Sequence, residues 1–417
     1  MTGARSGPRG LKVWLVNQYA IPESAPGITR HATLARLMEE RQGVRTTIIS
    51  GDGHYWNLGD AGYAASSMFR PLPVHVAPSN GVRRVLNMLH FAWRTLLLGV
   101  RTPRRERPDV VLGSSPHLFG ALAALLVARR FRVPFALEVR DIWPLSLVEL
   151  MGMSPRHPLV LLMNVVERLL YRSADLILLV LPGSEAHIRD VCRNPPRMVR
   201  VPNGVDAATA STDEPRLTAT TGPVSVAYAG AHGVPNALDT LIDAWAIIER
   251  DEDAPEMSLT LVGDGKQKDA LRRMASDRHL RHVTFGDPIP KAEVPAMLRA
   301  ADILVITWRD SPLYRHGISP NKLYDYMAAQ RPVVIAVDTP MNPVIESGGG
   351  LSVPPEQPAD LAAALVSLAR ADVAERDALG RRGRDYVAEH HDLRVIADRM
   401  AAELDALTRP DGGRAFG

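Results

Sequence analysis

The chain has 417 residues, of which 46% are hydrophobic and 23% charged, and a formal net charge of +3. That length suits two domains of ordinary size, and the charge is too small to mark a nucleic-acid binder. One cysteine, Cys192, excludes an internal disulfide and fits a reducing compartment. No apolar run reaches the ~18 residues of a membrane span, and the first ten residues lead into a strand-like run, not a signal peptide's apolar core. A cytoplasmic protein is expected.

Residues 11–17 (LKVWLVN) form a short apolar run, read as the first strand of a parallel sheet. A loop over 18–27 leads into a helix over about 28–40, and 46–50 is a second strand. The stretch 51–69 (GDGHYWNLGDAGYAASSMF) is polar and aromatic and long for a connection in a compact domain, so it is mobile or functional. Val85, Leu89, Trp93, Leu96 and Val100 then recur on one helical face. Seven arginines between 83 and 107 flank them, with Glu106 the only acid. Such a basic amphipathic helix suits either a core packing face with a solvated rim or an anionic membrane surface.

Strands follow at 109–115 and 134–139, separated by a helix over 117–130. The second of these strands runs into Arg140-Asp141-Ile142-Trp143-Pro144, and strand ends in an open α/β sheet face the ligand crevice. Arg140 stays protonated, so it is no base, but it can fork onto a phosphate or carboxylate. The alternative is a structural pair with Asp141. A helix over 158–171, a strand over 176–181 and a helix from 184 complete the first half. Residues 207–222, rich in Thr, Ala and Asp and without apolar period, read as a linker.

The second half opens with a strand over 224–229 and the small-residue turn Gly230-Ala231-His232-Gly233, which allows close backbone approach to a ligand. A helix is expected over 236–250, strand plus loop over 258–265 (SLTLVGDG), strand over 283–287, helix over 291–299 and strand over 303–307. Ser319-Pro320 reads as a capping Ser and a Pro at the first helical position. The helix start would present unpaired N–H groups and a partial positive charge to an anion, and Lys322 adds a full charge. Residues 333–337 form the next strand, 346–350 a second glycine-rich turn, and 374–407 a helical tail in which His390-His391 reads as a helix-end pair. No Cys/His cluster has zinc spacing.

SPNKLYDYMAAQRPVV, residues 319–334, resembles the donor-site segment of retaining GT-B glycosyltransferases of family four, and most of all the branch that builds bacterial surface polysaccharides. Glu138-x-Arg140-Asp141-x-Trp143-Pro144 resembles a second pattern of that branch. The resemblance covers roughly 12–407, strongest over 319–334 and 134–144, moderate over 224–265 and weak over 51–108. It implies an α/β protein of two doubly wound Rossmann-like domains facing a cleft. Residues 1–206 would bind the acceptor, 207–222 link, 223–385 bind the nucleotide sugar, and 386–417 return as a helix to the first domain. The implied reaction moves a sugar from a nucleotide diphosphate sugar to an acceptor hydroxyl, lipid-linked or small, with retention of configuration and without a metal or other cofactor.

By the same resemblance Lys322, Arg140 and Asp141 are the catalytic candidates. Donor contacts fall to Gly230, His232, Gly233, Gly263, Lys266, Pro288, Ser319, Asn321 and Asp325, the last holding the ribose. Acceptor contacts fall to Pro26, Gly27, Tyr55 and Trp143. Three departures stand out. Gly317 occupies the place of a first glutamate, and Ala231 and Asn236 those of an Arg and a Lys that elsewhere meet the pyrophosphate. They keep open a GT-B nucleotide-sugar epimerase or hydrolase, and a non-catalytic partner subunit.

Overall fold

The computed structural model describes residues 10–25, 27, 29–52, 66–74, 81–206 and 222–409, and the structural statements below concern these. Chain contacts divide the protein into two compact units, Met1–Pro202 with Leu393–Gly417, and Asn203–Asp392.

In the first unit the order is β1 Lys12–Val16, α1 Arg30–Gln42, β2 Arg45–Gly51, β3 Phe69–Leu72, α2 Val82–Arg101, β4 Val110–Ser114, α3 Leu118–Phe131, β5 Phe135–Val139, α4 Leu145–Met151, α5 Pro158–Ser173, β6 Leu176–Leu179, α6 Ser184–Val191 and β7 Arg197–Arg200. Its seven strands pair in parallel in the order β3-β2-β1-β4-β5-β6-β7. β4 and β5 are buried along their whole length, as expected of parallel strands covered on both faces. The order steps outward in opposite directions from β1 and β4. Right-handed crossovers then send helices to opposite faces. α2, α3, α5 and α6 share one core with Trp14, Phe119 and Phe135. α1 lies in the other core with Leu15, Ile48 and Leu112.

In the second unit come β8 Val224–Ala229, α7 Leu238–Ile248, β9 Met257–Val262, α8 Lys268–Asp277, β10 Val283–Gly286, α9 Val294–Ala300, β11 Ile303–Thr307, α10 Asn321–Ala328, β12 Val333–Ala336, α11 Pro343–Ser347, β13 Gly350–Val353, α12 Pro358–Arg370 and α13 Val373–His390. Six parallel strands take the order β10-β9-β8-β11-β12-β13. The last helix, α14 Leu393–Ala406, rejoins the first unit, where Ile396, Ala397, Met400 and Leu404 pack against α1 and Arg41 holds Asp398 at 2.9 Å.

The expected alternation of strand and helix is present in both halves. Four local readings are corrected. β3 escaped the sequence reading, which ran the long connection through to residue 69; residues 53–65, with Tyr55, lie outside the described residues. The helical tail is two helices, broken at His391 and Asp392. His390 does end a helix, but His391 is buried: its ring stacks on Tyr324 at 4.0 Å, and its Nδ1 lies 2.8 Å from the Asn203 carbonyl oxygen. The glycine-rich turn near 350 is a packing device. A Cβ on Gly350 would fall 1.9 Å from the Val333 carbonyl oxygen, and one on Gly349 would fall 2.8 Å from the Gly383 Cα of α13.

Candidate active site

The carboxyl ends of β8 and β11, the short turn Val234–Asn236 and the first turn of α10 converge on Lys322. Its Nζ donates to the Asn236 Oδ1 at 2.5 Å and to the Tyr228 hydroxyl at 3.1 Å. The same ammonium lies 4.8 Å from the Tyr228 ring centroid and 5.6 Å from that of Trp308, within cation–π range. No carboxylate pairs with it among the described residues. Burial without a counter-charge disfavours the ammonium, and its pKa is pushed down to about 7.

The neighbouring cations differ. Lys268 is buried and donates to the Gly263 and Gly286 carbonyls and to Asp287 at 2.9 Å. Arg309 pairs with Asp239 and, at 2.7 Å, with Glu356. Both are neutralised and brace the loops after β9, β10 and β11. Lys322, by contrast, is half-buried and makes no ion pair among the described residues.

α10 starts one residue later than the Ser-Pro signal implied. Pro320 holds the cap position with extended backbone, and no side chain caps the helix. Ser319 is buried and its hydroxyl is engaged elsewhere, accepting from the Asn203 N–H at 3.2 Å and lying 3.2 Å from the Tyr324 hydroxyl. The first-turn N–H groups of α10 therefore remain without a capping side chain. Asn321 is half-buried beside Lys322. Asp325, one turn on, is half-buried and makes no ion pair. Burial pushes its carboxyl up to about 6, with Lys291 pulling the other way.

Tyr326, also on α10, locks the helix to β8: its hydroxyl accepts from the Ala229 N–H at 2.5 Å and donates to the Ala229 carbonyl at 2.9 Å. The turn after β8 is held as firmly. Gly230 N–H bonds the Val262 carbonyl and His232 N–H the Asp264 carbonyl. His232 is fully buried between Tyr228 and Phe285, and burial lowers its pKa. Gly263 has φ +142, and a Cβ there would fall 1.9 Å from the Gly230 carbonyl oxygen. The Gly-Asp-Gly sequence is thus needed for loop-on-loop contact. Gly233 leads into the short turn that ends in Asn236.

Several expectations need restating. α7 begins at Leu238, and Asn236 stands in the preceding turn. The position read as a missing charge is the amide that holds Lys322. Lys266 is exposed, and the buried lysine of that stretch is Lys268, two residues on. Pro288 lies exposed after β10. Tyr228, Trp308, Asn236 and Lys268 were not among the candidates. Tyr228 and Trp308 end or follow apolar strand runs, which made them look like core.

At the carboxyl ends of β1, β4 and β5 in the first unit lies a buried polar cluster. Glu138 accepts from Ser114 Oγ at 2.7 Å, lies 2.7 Å from His31 Nε2 and 3.4 Å from the Arg30 guanidinium. Asn17 donates to Ser114 at 3.0 Å. Burial acts to raise the Glu138 pKa, but His31 and Arg30 outweigh it and hold it well below the usual carboxylate range. Burial lowers the pKa of His31. Arg140 is half-buried; its N–H donates to Ser115 Oγ at 3.2 Å, and no ion pair joins it to Asp141, which is exposed. The structural Arg140–Asp141 pair is therefore absent. Trp143 packs against the core with its Nε1 enclosed and without a hydrogen bond. Gly27 is exposed with φ +121, and Pro26 lies outside the described residues.

Family models match both halves: a glycosyl transferase 4-like domain over 27–204 and glycosyl transferases group 1 over 223–371. The chain is a two-domain GT-B glycosyltransferase. Among curated sequences, the probable glycosyltransferase WbjE of Pseudomonas aeruginosa is 23% identical over 342 residues, spanning 78% of this chain and 81% of that one. Among solved structures, sucrose-phosphate synthase of Thermosynechococcus elongatus matches with a TM-score of 0.70 at 17% identity, covering 94% of this chain and 98% of that one. HepE of Anabaena in complex with UDP-glucose matches with a TM-score of 0.64 at 14% identity, over 94% and 99%. The epimerase, hydrolase and non-catalytic readings are not favoured by these matches.

Proposed function

We propose that this glycosyltransferase takes its sugar from a nucleotide diphosphate sugar bound at the strand ends of the second unit, and passes it to an acceptor hydroxyl with retention of configuration. One observation carries the reading: Lys322 is a half-buried cation without an ion pair among the described residues, in the first turn of a helix whose N–H groups no side chain caps. A diphosphate supplies what both lack, and stabilising it as the leaving group is the chemistry such a site offers. Asp325 would receive a ribose hydroxyl. The HepE complex, whose ligand is UDP-glucose, makes a UDP-sugar the first donor to try.

The remaining parts of the reading are a surface glycan, glycolipid or glycosylated metabolite as product, a cytoplasmic location, and acceptor contacts near Arg140, Asp141 and Trp143. We further propose that no metal is needed, because Lys322 and the helix N-terminus supply positive charge, and that residues 83–107 touch the membrane where the acceptor is lipid-linked. The test is to measure nucleotide release from UDP-, GDP- and TDP-sugars with and without lipid and small-molecule acceptors, with chelator in a parallel arm. Release that requires an acceptor, an unchanged anomeric configuration by NMR, and indifference to chelator are expected. Acceptor-independent release would replace transfer with hydrolysis.

A further inference from the structure

Nine of the thirteen large apolar side chains exposed among the described residues sit on α2, α3 and α5. These helices cover one face of the first sheet, and α3 packs against both of the others. On α2, Leu86, Leu89, Trp93 and Val100 face outward, with Trp93 58% exposed. On α5, Leu161, Leu162, Val165 and Leu169 are 46–67% exposed, while Val160, Met163, Val166 and Leu170 turn into the core. Core packing thus accounts for only one side of α5.

Charge on these three helices is one-sided, while α6 on the same face of the sheet adds Glu185, Arg189 and Asp190. The three helices carry eight arginines, four on α2 and two on each of the others, against a single acid, Glu167. Glu167 is buried and already engaged, accepting from the Tyr171 hydroxyl at 2.9 Å and lying 2.8 Å from His187 Nε2. Arg168 and Arg172, with Asn164, Val165 and Leu169, line a depression of about 310 Å³ on α5.

We infer that the outer faces of α2 and α5 together form a docking surface for an anionic lipid membrane. Their apolar side chains enter the acyl boundary, and the arginines meet lipid phosphates. A second copy of the chain fits less well, because pairing this face with itself sets arginine against arginine. The inference extends the membrane contact proposed for 83–107 to a second limb, α5, which the sequence reading did not single out.

The test is flotation of the full chain with vesicles of phosphatidylcholine alone, or with a third of phosphatidylglycerol, at low and high salt. Partition into the anionic vesicles is expected to exceed that into neutral ones by about ten-fold or more, and to fall as salt shortens the screening length. Val165→Ser with Leu169→Ser, and separately Arg168→Glu with Arg172→Glu, should each lower it about ten-fold. All four positions are exposed, so melting temperatures should hold, and so should the rate on a soluble acceptor, which keeps failure of docking distinct from failure of transfer. Equal binding to neutral and anionic vesicles, α5 variants that bind like wild type, or a dimer in sedimentation that the double serine variant dissolves would each overturn the inference.

Discussion

At the carboxyl end of the first sheet, Glu138 is wholly enclosed and answers His31, Arg30 and Ser114. At the carboxyl end of the second, Lys322 and Asp325 are half-buried and make no ion pair. The pKa values record the difference. Partners hold Glu138 well down despite its burial, while burial moves Lys322 down to about 7 and, against the pull of Lys291, Asp325 up to about 6. A charge enclosed with its counter-charges stabilises the resting fold and has little left to offer a ligand. A charge enclosed without one is held at a cost that an incoming anion or hydroxyl removes. Lys268 and Arg309, each with a carboxylate partner, fall in the first class although they stand beside the second.

The sharpest way to break this contrast is Glu138→Ala. It leaves Arg30 and His31 buried without their carboxylate, and about 3–5 kcal/mol of stability should be lost, seen in chemical denaturation. The pH sign follows: a lowered folded pKa gives stability that is full above the unfolded value and is lost as pH falls through the folded one. A loss under about 1 kcal/mol would reclassify the cluster as replaceable polar packing.

Lys322→Ala tests the other side. Its kcat/KM should fall about 10²-fold or more with the melting temperature held or raised, because a desolvated cation is removed. Lys322→Arg should rescue in part, since a planar fork replaces a point charge. An unchanged rate would remove the phosphate role.

Asp325→Ala should weaken donor binding by about 1.5–3 kcal/mol in calorimetry without unfolding the protein. Unchanged affinity would end the ribose assignment.

A pH profile sharpens the comparison further. Lys322 has a lowered folded pKa, so between about 7 and its unfolded value of 10.5 the unfolded chain binds more protons, and this residue's contribution to stability rises with pH. Donor binding runs the other way. A diphosphate favours the ammonium, so binding should take up a proton above pH about 7 and weaken as pH rises. Calorimetry in buffers of different ionisation heat reads this directly, and proton release on binding would contradict it.

The smallest effect is expected for Asn236→Ala, which removes one tether of Lys322 and leaves the Tyr228 hydroxyl and both rings. A rise of a few-fold in donor KM, with kcat nearly held, corresponds to about 1 kcal/mol for one hydrogen bond.

The pattern of residues carried the architecture a long way. Parallel strands buried on both faces are continuous apolar runs, and crossover helices have a 3.6-residue period, so β1, β4, β5, β8 and β11 and most of the helices between them stood out from the chain alone. Lys322 and Asp325 stood out because the helix that carries them is a local feature with a local signal. What the order of residues does not state is which side chains from distant strands converge. Asn236 and Tyr228 reach Lys322 from 86 and 94 residues away, and the sequence reading took the first for a missing charge and passed over the second. Ser319 looked like a cap because Ser-Pro so often is one. Its hydroxyl is instead taken up by Asn203, 116 residues distant, and Tyr324. Periodicity and turn chemistry act over a few residues and are written locally. Pairing, desolvation and the pKa of a buried lysine depend on everything packed around it, and only the tertiary structure supplies those neighbours.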